Sequence, residues 1–282
     1  MNGSLTIGDA VRGAAVRLAA VSDSPRLDAE VLAAHALGKS RGSLFAYDRD
    51  AMTEAASLRL LELVEARSRQ VPVAYLTGYK EFWTLRLRVT PDVLVPRPET
   101  ELLVEWALEL LPQGEACVRR VLDLGTGSGA IALSLLSERP QLQMLATDAS
   151  TSALEVARGN AAAHGLSPAF RLGDWWSVIE AGERFDLVLS NPPYIAAGDL
   201  HLQRLQSEPQ SALTAGPDGL ADLRRIIAAA AAHLQPGAWL LVEHGYDQGA
   251  AVRALFANAG FGEIVTRRDL GGQERASGGR ST

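Results

Sequence analysis

The sequence predicts an α/β protein, a mostly parallel sheet of seven strands behind a small all-helical segment. Three observations carry that prediction. Apolar residues recur at helical spacing through residues 5 to 70. From about residue 120 onward, short apolar, β-branched runs alternate with helical stretches, and the last two runs stand close together, as in a parallel sheet with a late reversal. Between them, Val121-Leu122-Asp123-Leu124 runs into Gly125-Thr126-Gly127-Ser128-Gly129 and then a helical stretch from Ala130 to Leu136. Strand, glycine turn and helix in that order make a ligand-binding βα unit.

The first segment places Leu5, Val11, Ala15 and Leu18 on one helix, Leu27, Val31, Leu32 and Leu37 on a second, and Leu58, Leu61, Val64 and Ala66 on a third. Ser24-Pro25 opens the second helix, Gly38 closes it, and Thr53-Glu54 opens the third. His35, set among alanines and leucines, reads as a packing histidine without a chemical role. Val71 to Gly78 reads as a loop, and Phe82 to Val89 alternates with period two, the pattern of a short hairpin. The expected organisation is a helical domain over 1–75, a β-hairpin linker over 76–92 and an α/β domain over 93–282.

Val95-Pro96-Arg97-Pro98-Glu99-Thr100-Glu101 marks a helix start and holds Arg97 between two prolines, an arrangement that positions a guanidinium at a cleft. The glycine turn is G-x-G-x-G with no lysine after it, so it is not a phosphate loop. Its glycines allow close approach to the backbone, and N–H groups at a helix start favour an anionic group such as an amino-acid carboxylate. The next strand, Leu142 to Ala146, runs into Thr147-Asp148, and an acid there suits ribose hydroxyls. A third strand ends in Asp174-Trp175-Trp176, where one tryptophan caps an adenine and the other packs in the core. Ile195 to Gly219 is irregular, with Glu208-Pro209 as its rigid acidic element.

The most informative stretch follows the apolar run Phe185-Asp186-Leu187-Val188-Leu189: Ser190-Asn191-Pro192-Pro193-Tyr194. Open α/β sheets keep their ligands at the carboxyl ends of their strands. Asn191 offers a side-chain acceptor beside rigid backbone carbonyls at Asn191 and Pro192, and Tyr194 adds a flat face that can lie on a planar group. Taken alone, the same residues also describe a tight loop over a buried tyrosine.

Of the 282 residues, 47% are hydrophobic and 21% charged, which fits a folded globular chain. A net charge of -6 provides no global field for phosphate backbones. Cys117 is the single cysteine, so an intrachain disulfide and a cysteine-based zinc site are excluded. No secretory signal and no membrane span is read, and a cytoplasmic monomer without a metal is expected.

Taken together, Gly125-Thr126-Gly127-Ser128-Gly129, Asp148, Asp174-Trp175 and Asn191-Pro192-Pro193-Tyr194 resemble a class I S-adenosylmethionine-dependent methyltransferase acting on a planar amino group. Adding the helical N-terminus, Gly78-Tyr79-Lys80-Glu81-Phe82-Trp83, Pro96 to Glu101 and Glu243-His244-Gly245, the chain is similar over nearly its whole length to the peptide chain release factor glutamine N5-methyltransferases, PrmC or HemK. The resemblance implies a Rossmann-like methyltransferase domain, with S-adenosylmethionine held by Gly125, Thr126, Gly127, Ser128, Gly129, Asp148, Trp175 and Asn191. It implies that Asn191, Pro192 and Tyr194 act in catalysis, and that Asn191, Pro192, Pro193 and Tyr194 contact the glutamine of a release factor's Gly-Gly-Gln loop, which the N-terminal helices help to recognise. Two features depart from the family pattern or need comment. Gln206-Ser207 stand where a bulky aromatic precedes Glu208-Pro209, and Gly271-Gly272-Gln273 repeats the substrate tripeptide where an ordinary turn is expected. The rival readings are an adenine N6 or cytosine N4 methyltransferase of nucleic acid, and a silent cofactor-binding scaffold.

Overall fold

The computed structural model describes residues 5–111 and 118–282. Cys117 lies outside the described residues. The chain divides into two compact units, Met1–Tyr79 and Lys80–Thr282.

The first unit is helical: α1 (Ile7–Leu18), α2 (Pro25–Leu37), α3 (Glu54–Ser68) and the single-turn α4 (Val73–Thr77). Thr6 caps α1 by accepting the Asp9 N–H at 3.1 Å, and Thr53 caps α3 from the Ala56 N–H at 3.3 Å. Pro25 opens α2 and Gly38, in the left-handed region, closes it, as the sequence signals. The apolar face of α3 differs from the expected one. Ala56, Leu60, Leu63 and Val64 enter the core, while Leu58 and Leu61 are exposed, because only the former set falls on one i, i+4, i+7, i+8 stripe. His35 is exposed rather than packed. Val73–Thr77 is a helix rather than a loop: Pro72 has a preset φ at the N-cap, and Gly78 ends the turn at φ 82°. Between α2 and α3, Arg67 and Asp28 form a part-buried ion pair at 2.8 Å.

The second unit takes in most of a hairpin of β1 (Tyr79–Phe82) and β2 (Leu85–Arg88), and then α5 (Glu101–Leu110). There follow β3 (Arg120–Leu124), α6 (Ala130–Glu138), β4 (Gln143–Asp148), α7 (Thr151–Ala163), β5 (Ala169–Leu172) and β6 (Phe185–Ser190). The chain ends with α8 (Ala221–Ala230), β7 (Leu234–Glu243), α9 (Gly249–Asn258), β8 (Gly262–Arg268) and β9 (Glu274–Arg280). The seven-stranded sheet has the order β5-β4-β3-β6-β7-β9-β8, parallel except for β9, which is antiparallel to both its neighbours. The order reverses beside β3, with β4 on one side and β6 on the other. Leu124 is in register with Thr147 and with Ser190, so β3, β4 and β6 end level and their loops open on one edge.

Both faces of the sheet are covered, which explains its near-continuous apolar runs. Val121, Met144, Leu187 and Leu241 pack with α5 and α6, while Leu122, Leu145, Val188 and Leu240 pack with α8 and α9. The reversed strand β9 is built of small residues for a steric reason. A Cβ on Gly278 would sit 2.5 Å from Leu241 Cδ2 and 2.9 Å from Trp106 Cη2, and one on Gly279 would sit 2.7 Å from Phe256 Cδ1. Gly271-Gly272-Gln273 forms the turn between β8 and β9, with Asp269 accepting the Gln273 N–H at 3.0 Å.

Gly278→Ala forces Leu241 or Trp106 out of place, and we expect a loss of about 1–3 kcal/mol in stability. Urea unfolding should show a lower midpoint with an unchanged slope.

Candidate active site

The level ends of β3, β4 and β6 frame a cleft of about 520 Å³. Its walls include Gly125 to Ser128, Asp148, Trp175, Asn191, Pro193 and Thr100. Gly129, Pro192 and Tyr194, also singled out from sequence, are not part of that wall.

The glycine turn is held by β4. Gly125 and Thr126 both donate N–H groups to the Thr147 carbonyl, at 2.9 and 2.8 Å, and Gly127 donates to Asp148 Oδ2 at 2.9 Å. Gly125, Gly127 and Gly129 all have positive φ, which a side chain would strain. The Gly129 N–H goes to the Thr126 carbonyl at 2.9 Å. Four of the five turn amides are therefore committed to protein acceptors, which leaves Ser128 and the start of α6, whose Ala130 and Ile131 also line the cleft, facing the expected anion site. Beneath the turn, Asp123 is fully buried and accepts the Thr126 hydroxyl at 2.7 Å. Burial pushes its carboxyl up to about 7, against the hydrogen bonds from Thr126 and the Ala132 N–H.

Asp148 ends β4 with both oxygens engaged from below, Oδ2 by Gly127 and Oδ1 by the Ser150 N–H at 2.9 Å. Burial raises its carboxyl above the ordinary value, and the N–H groups of Ser150, Gly127 and Ala149 oppose that rise. Across the cleft, Trp175 adopts φ 47° and lays its ring over Gly125, where an added Cβ would meet Trp175 Cζ3 at 3.0 Å. Its indole N–H donates to Asp222 Oδ1 at 2.9 Å. Trp176 is the packing member of the pair: it stacks on His233 at 4.8 Å and donates to the Ile226 carbonyl at 3.1 Å. Asp174 is bound by Arg225, which with Asp222 forms the α8 side of the cleft.

At the end of β6, the Asn191 amide is oriented by its Nδ2, which donates to Thr100 Oγ1 at 3.0 Å. That contact directs Nδ2 to the protein and leaves Oδ1 as the acceptor end. Tyr194 donates its hydroxyl to Glu243 Oε1 at 3.0 Å. Burial, then the Glu243 charge, raises this phenol far above its ordinary value, so it stays protonated and remains a donor. The Tyr194 carbonyl accepts from Gln248 Nε2 at 2.9 Å.

Several contributors were not evident in the sequence. Asn160, buried on α7, accepts the Arg88 N–H at 2.7 Å and donates to the Arg88 and Ser128 carbonyls at 3.0 and 2.8 Å, bracing the glycine turn against β2. Thr100 appeared only as part of a helix start, and Asp222 and Gln248 were not singled out at all. Arg97 does not line the cleft. Its guanidinium is bound by Glu208, which also accepts the Val95 N–H at 3.0 Å and so anchors the irregular 195–219 stretch to the segment before α5. Pro209, Ser211 and Ala212 are thereby brought to the rim.

Known proteins match most of the chain in sequence. The PrmC N-terminal domain family matches residues 9–78, and the methyltransferase small domain family matches residues 100–218. The release factor glutamine methyltransferase of Xylella fastidiosa strain Temecula1 is 51% identical over 94% of this chain and 97% of its own length. This chain belongs to the release factor glutamine methyltransferase family. The family member from Coxiella burnetii is 46% identical over 96% of the chain and 97% of its own length. Among solved structures, the hMettl16 catalytic domain in complex with the MAT2A 3'UTR hairpin 1 has a TM-score of 0.56 at 16% identity, covering 83% of each chain. A methyltransferase from Pyrococcus furiosus has a TM-score of 0.52 at 16% identity, covering 70% of this chain and 89% of its own. These two share the fold, the α/β methyltransferase architecture with its seven-stranded sheet. As a family member, the chain is an enzyme of methyl transfer. No helix among the described residues is long and apolar enough to cross a membrane.

The buried acid under the turn gives a signed pH prediction. The Asp123 carboxyl is raised from 3.8 to about 7 on folding, so between those values the folded chain keeps a proton that the unfolded chain releases. Its contribution is complete below pH 3.8 and is lost as pH rises through about 7. Relative to Asp123→Asn, wild-type stability should decline across that window, by on the order of a few kcal/mol, and run parallel above it, as urea titrations at several pH values will read.

Proposed function

We propose that this chain transfers the methyl group of S-adenosylmethionine to the side-chain amide nitrogen, N5, of the glutamine in the Gly-Gly-Gln loop of peptide chain release factors. The observation that carries the reading is the near full-length identity to enzymes of that name, joined to an Asn191 amide whose nitrogen is tied down and whose oxygen is left to accept. The cleft suits the cofactor: Trp175 over Gly125 offers an aromatic face for adenine, Asp148 an acceptor for ribose hydroxyls, and Ser128 with the start of α6 donors for the amino-acid carboxylate. Gly127 and Gly129 act through the backbone conformation that shapes the turn. When bound, S-adenosylmethionine supplies an electrophilic methyl group on a sulfonium.

The chain's own residues address the weakness of the nucleophile. A carboxamide nitrogen is unreactive because its lone pair is delocalised, the resonance behind a rotation barrier of about 18–20 kcal/mol in peptides. Asn191 Oδ1 and the Pro192 carbonyl each accept one N–H of the incoming amide, which keeps electron density on nitrogen. Pro193 and the Tyr194 ring fix the plane of the amide. Held this way by Asn191 and the Pro192 carbonyl, the amide would offer its nitrogen to the sulfonium methyl, and the one proton it loses on becoming a secondary amide would pass to solvent. Positioning supplies most of the rate, a contribution of up to roughly 7–11 kcal/mol. No residue here is required as a strong base.

The helical unit, which the PrmC N-terminal family matches, is assigned to recognition of the release factor, and the enzyme to the cytoplasm, where it acts as a monomer. A nucleic-acid methyltransferase would use the same amide acceptors on a base, and the shared fold of an RNA-bound relative does not separate the two. The net charge of -6 favours the protein substrate.

The deciding experiment gives the purified protein labelled S-adenosylmethionine with unmodified release factor, DNA and RNA in parallel, and locates the label by mass spectrometry. Label on the release-factor glutamine is expected. Label on adenine or cytosine alone, or on Gln273 of the enzyme, would overturn the assignment. In the same assay Asn191→Ala should lose turnover while largely keeping cofactor affinity. Asp148→Ala should instead weaken cofactor binding more than about tenfold, since hydrogen bonds to a charged group contribute about 1.5–3 kcal/mol.

A further inference from the structure

Asn191 and Tyr194 leave β6 together, but β6 does not hold their side chains. Asn191 Nδ2 donates to Thr100 Oγ1 and the Tyr194 hydroxyl donates to Glu243 Oε1, each at 3.0 Å. Thr100 precedes α5 and is 3% exposed, and Glu243 ends β7 and is 1% exposed. Each polar side chain of the Asn-Pro-Pro-Tyr turn is therefore held by a buried polar group from outside β6, Asn191 by Thr100 and Tyr194 by Glu243.

The Tyr194 backbone is fixed independently. Gln248 Nε2 donates to its carbonyl at 2.9 Å, and a Cβ at Gly219 would come within 2.3 Å of the same oxygen. The freedom that remains is at the far end of the ring and in the Asn191 amide, where Thr100 and Glu243 act. For stability alone, Glu243 is a poor choice. Its Oε2 is buried without a hydrogen bond among the described residues, and burial lifts its carboxyl to about 7. A buried acid with an unsatisfied oxygen is often replaced at no loss, or with gain, by a neutral group of similar shape. Such a group in a native fold asks for a reason other than stability.

We propose that Glu243 is a positioning residue of the acceptor site: gripping the Tyr194 hydroxyl while Thr100 holds the Asn191 amide, it keeps ring and amide at one separation. Glu243 does not touch substrate. It sets the plane in which Asn191, Pro192 and the Tyr194 ring present themselves to a carboxamide, and the inference rests on the glutamine acceptor argued above.

The test measures kcat and KM with release factor, the affinity for S-adenosylhomocysteine and the melting temperature, in wild type, Glu243→Gln, Glu243→Leu, Thr100→Val and Thr100→Ser. Because misplacement by about 1 Å costs about 100-fold, Glu243→Leu should lose about that factor in kcat. Glu243→Gln, which replaces the charge-assisted bond to the Tyr194 hydroxyl by a weaker neutral one, and Thr100→Val, which frees the Asn191 amide, should each lose about tenfold or more. Thr100→Ser, retaining the hydroxyl, should recover kcat to within about threefold of wild type. Cofactor affinity should stay within about twofold throughout, and Glu243→Gln should melt no lower than wild type. The inference is overturned by wild-type kcat in Glu243→Gln and Thr100→Val. It is equally overturned if kcat falls only in step with cofactor affinity or melting temperature, without rescue by serine. Wild type that puts no methyl on the glutamine removes the acceptor assignment and this inference with it, whereas labelling that these substitutions leave unaltered removes the role of Glu243 alone.

Discussion

The common register of β3 with β4 and β6 is the constraint on which the site depends. Because Leu124 stands level with both Thr147 and Ser190, three consecutive loops leave the sheet at one height. The Thr147 carbonyl then takes two N–H groups of the glycine turn, which locks the turn to the neighbouring strand. A slip of one residue in either pairing would exchange the faces of the strand and separate Asp148 from Gly127. Everything placed at the cleft, from the Trp175 ring to the Asn191 amide, is measured from that edge.

Glycine turn, strand-end acid and strand-end Asn-Pro were legible because each is a local pattern with a local physical cause. The helix stops at Pro25, Gly38 and Thr53 were legible for the same reason. The face of α3 was not, because leucines at 58 and 61 have the same helical propensity as those at 60 and 63, and only packing against α1 and α2 selects between them. The partners of the site residues were illegible for a related reason. Thr100 and Asn191 are 91 positions apart, and Tyr194 and Glu243 are 49 apart, so no window of sequence contains either pair. Arg97 shows the opposite failure: its rigid proline frame was visible, but its destination, Glu208, was not.

The last part of the sheet follows a different logic. β9 runs against its neighbours and is assembled from Ala276, Ser277, Gly278 and Gly279, residues with little strand propensity. It is a strand because Trp106 on one face and Phe256 with Phe261 on the other leave room for nothing larger. Space, rather than intrinsic preference, makes it the penultimate strand. His244, just past β7, is joined to Ser277 of β9 at 2.8 Å, and Ser277 to Thr266 of β8 at 2.8 Å, so these polar groups satisfy one another.

The anchoring of Glu208 to Val95 and Arg97 bears on the order in which the molecule assembles. The contact joins residues 113 and 111 positions apart, and the chain between them includes α5 and four strands of the sheet. Closing so long a segment is entropically unfavourable until the intervening elements have condensed. The contact that anchors the rim therefore gains its full stabilisation only with those intervening elements in place. A chain emerging from its amino end would carry both halves of the glycine turn well before it carried the acid that ends β7. The glycine turn and the strand end that locks it are thus complete in the growing chain before the partner of the Tyr194 hydroxyl has been made.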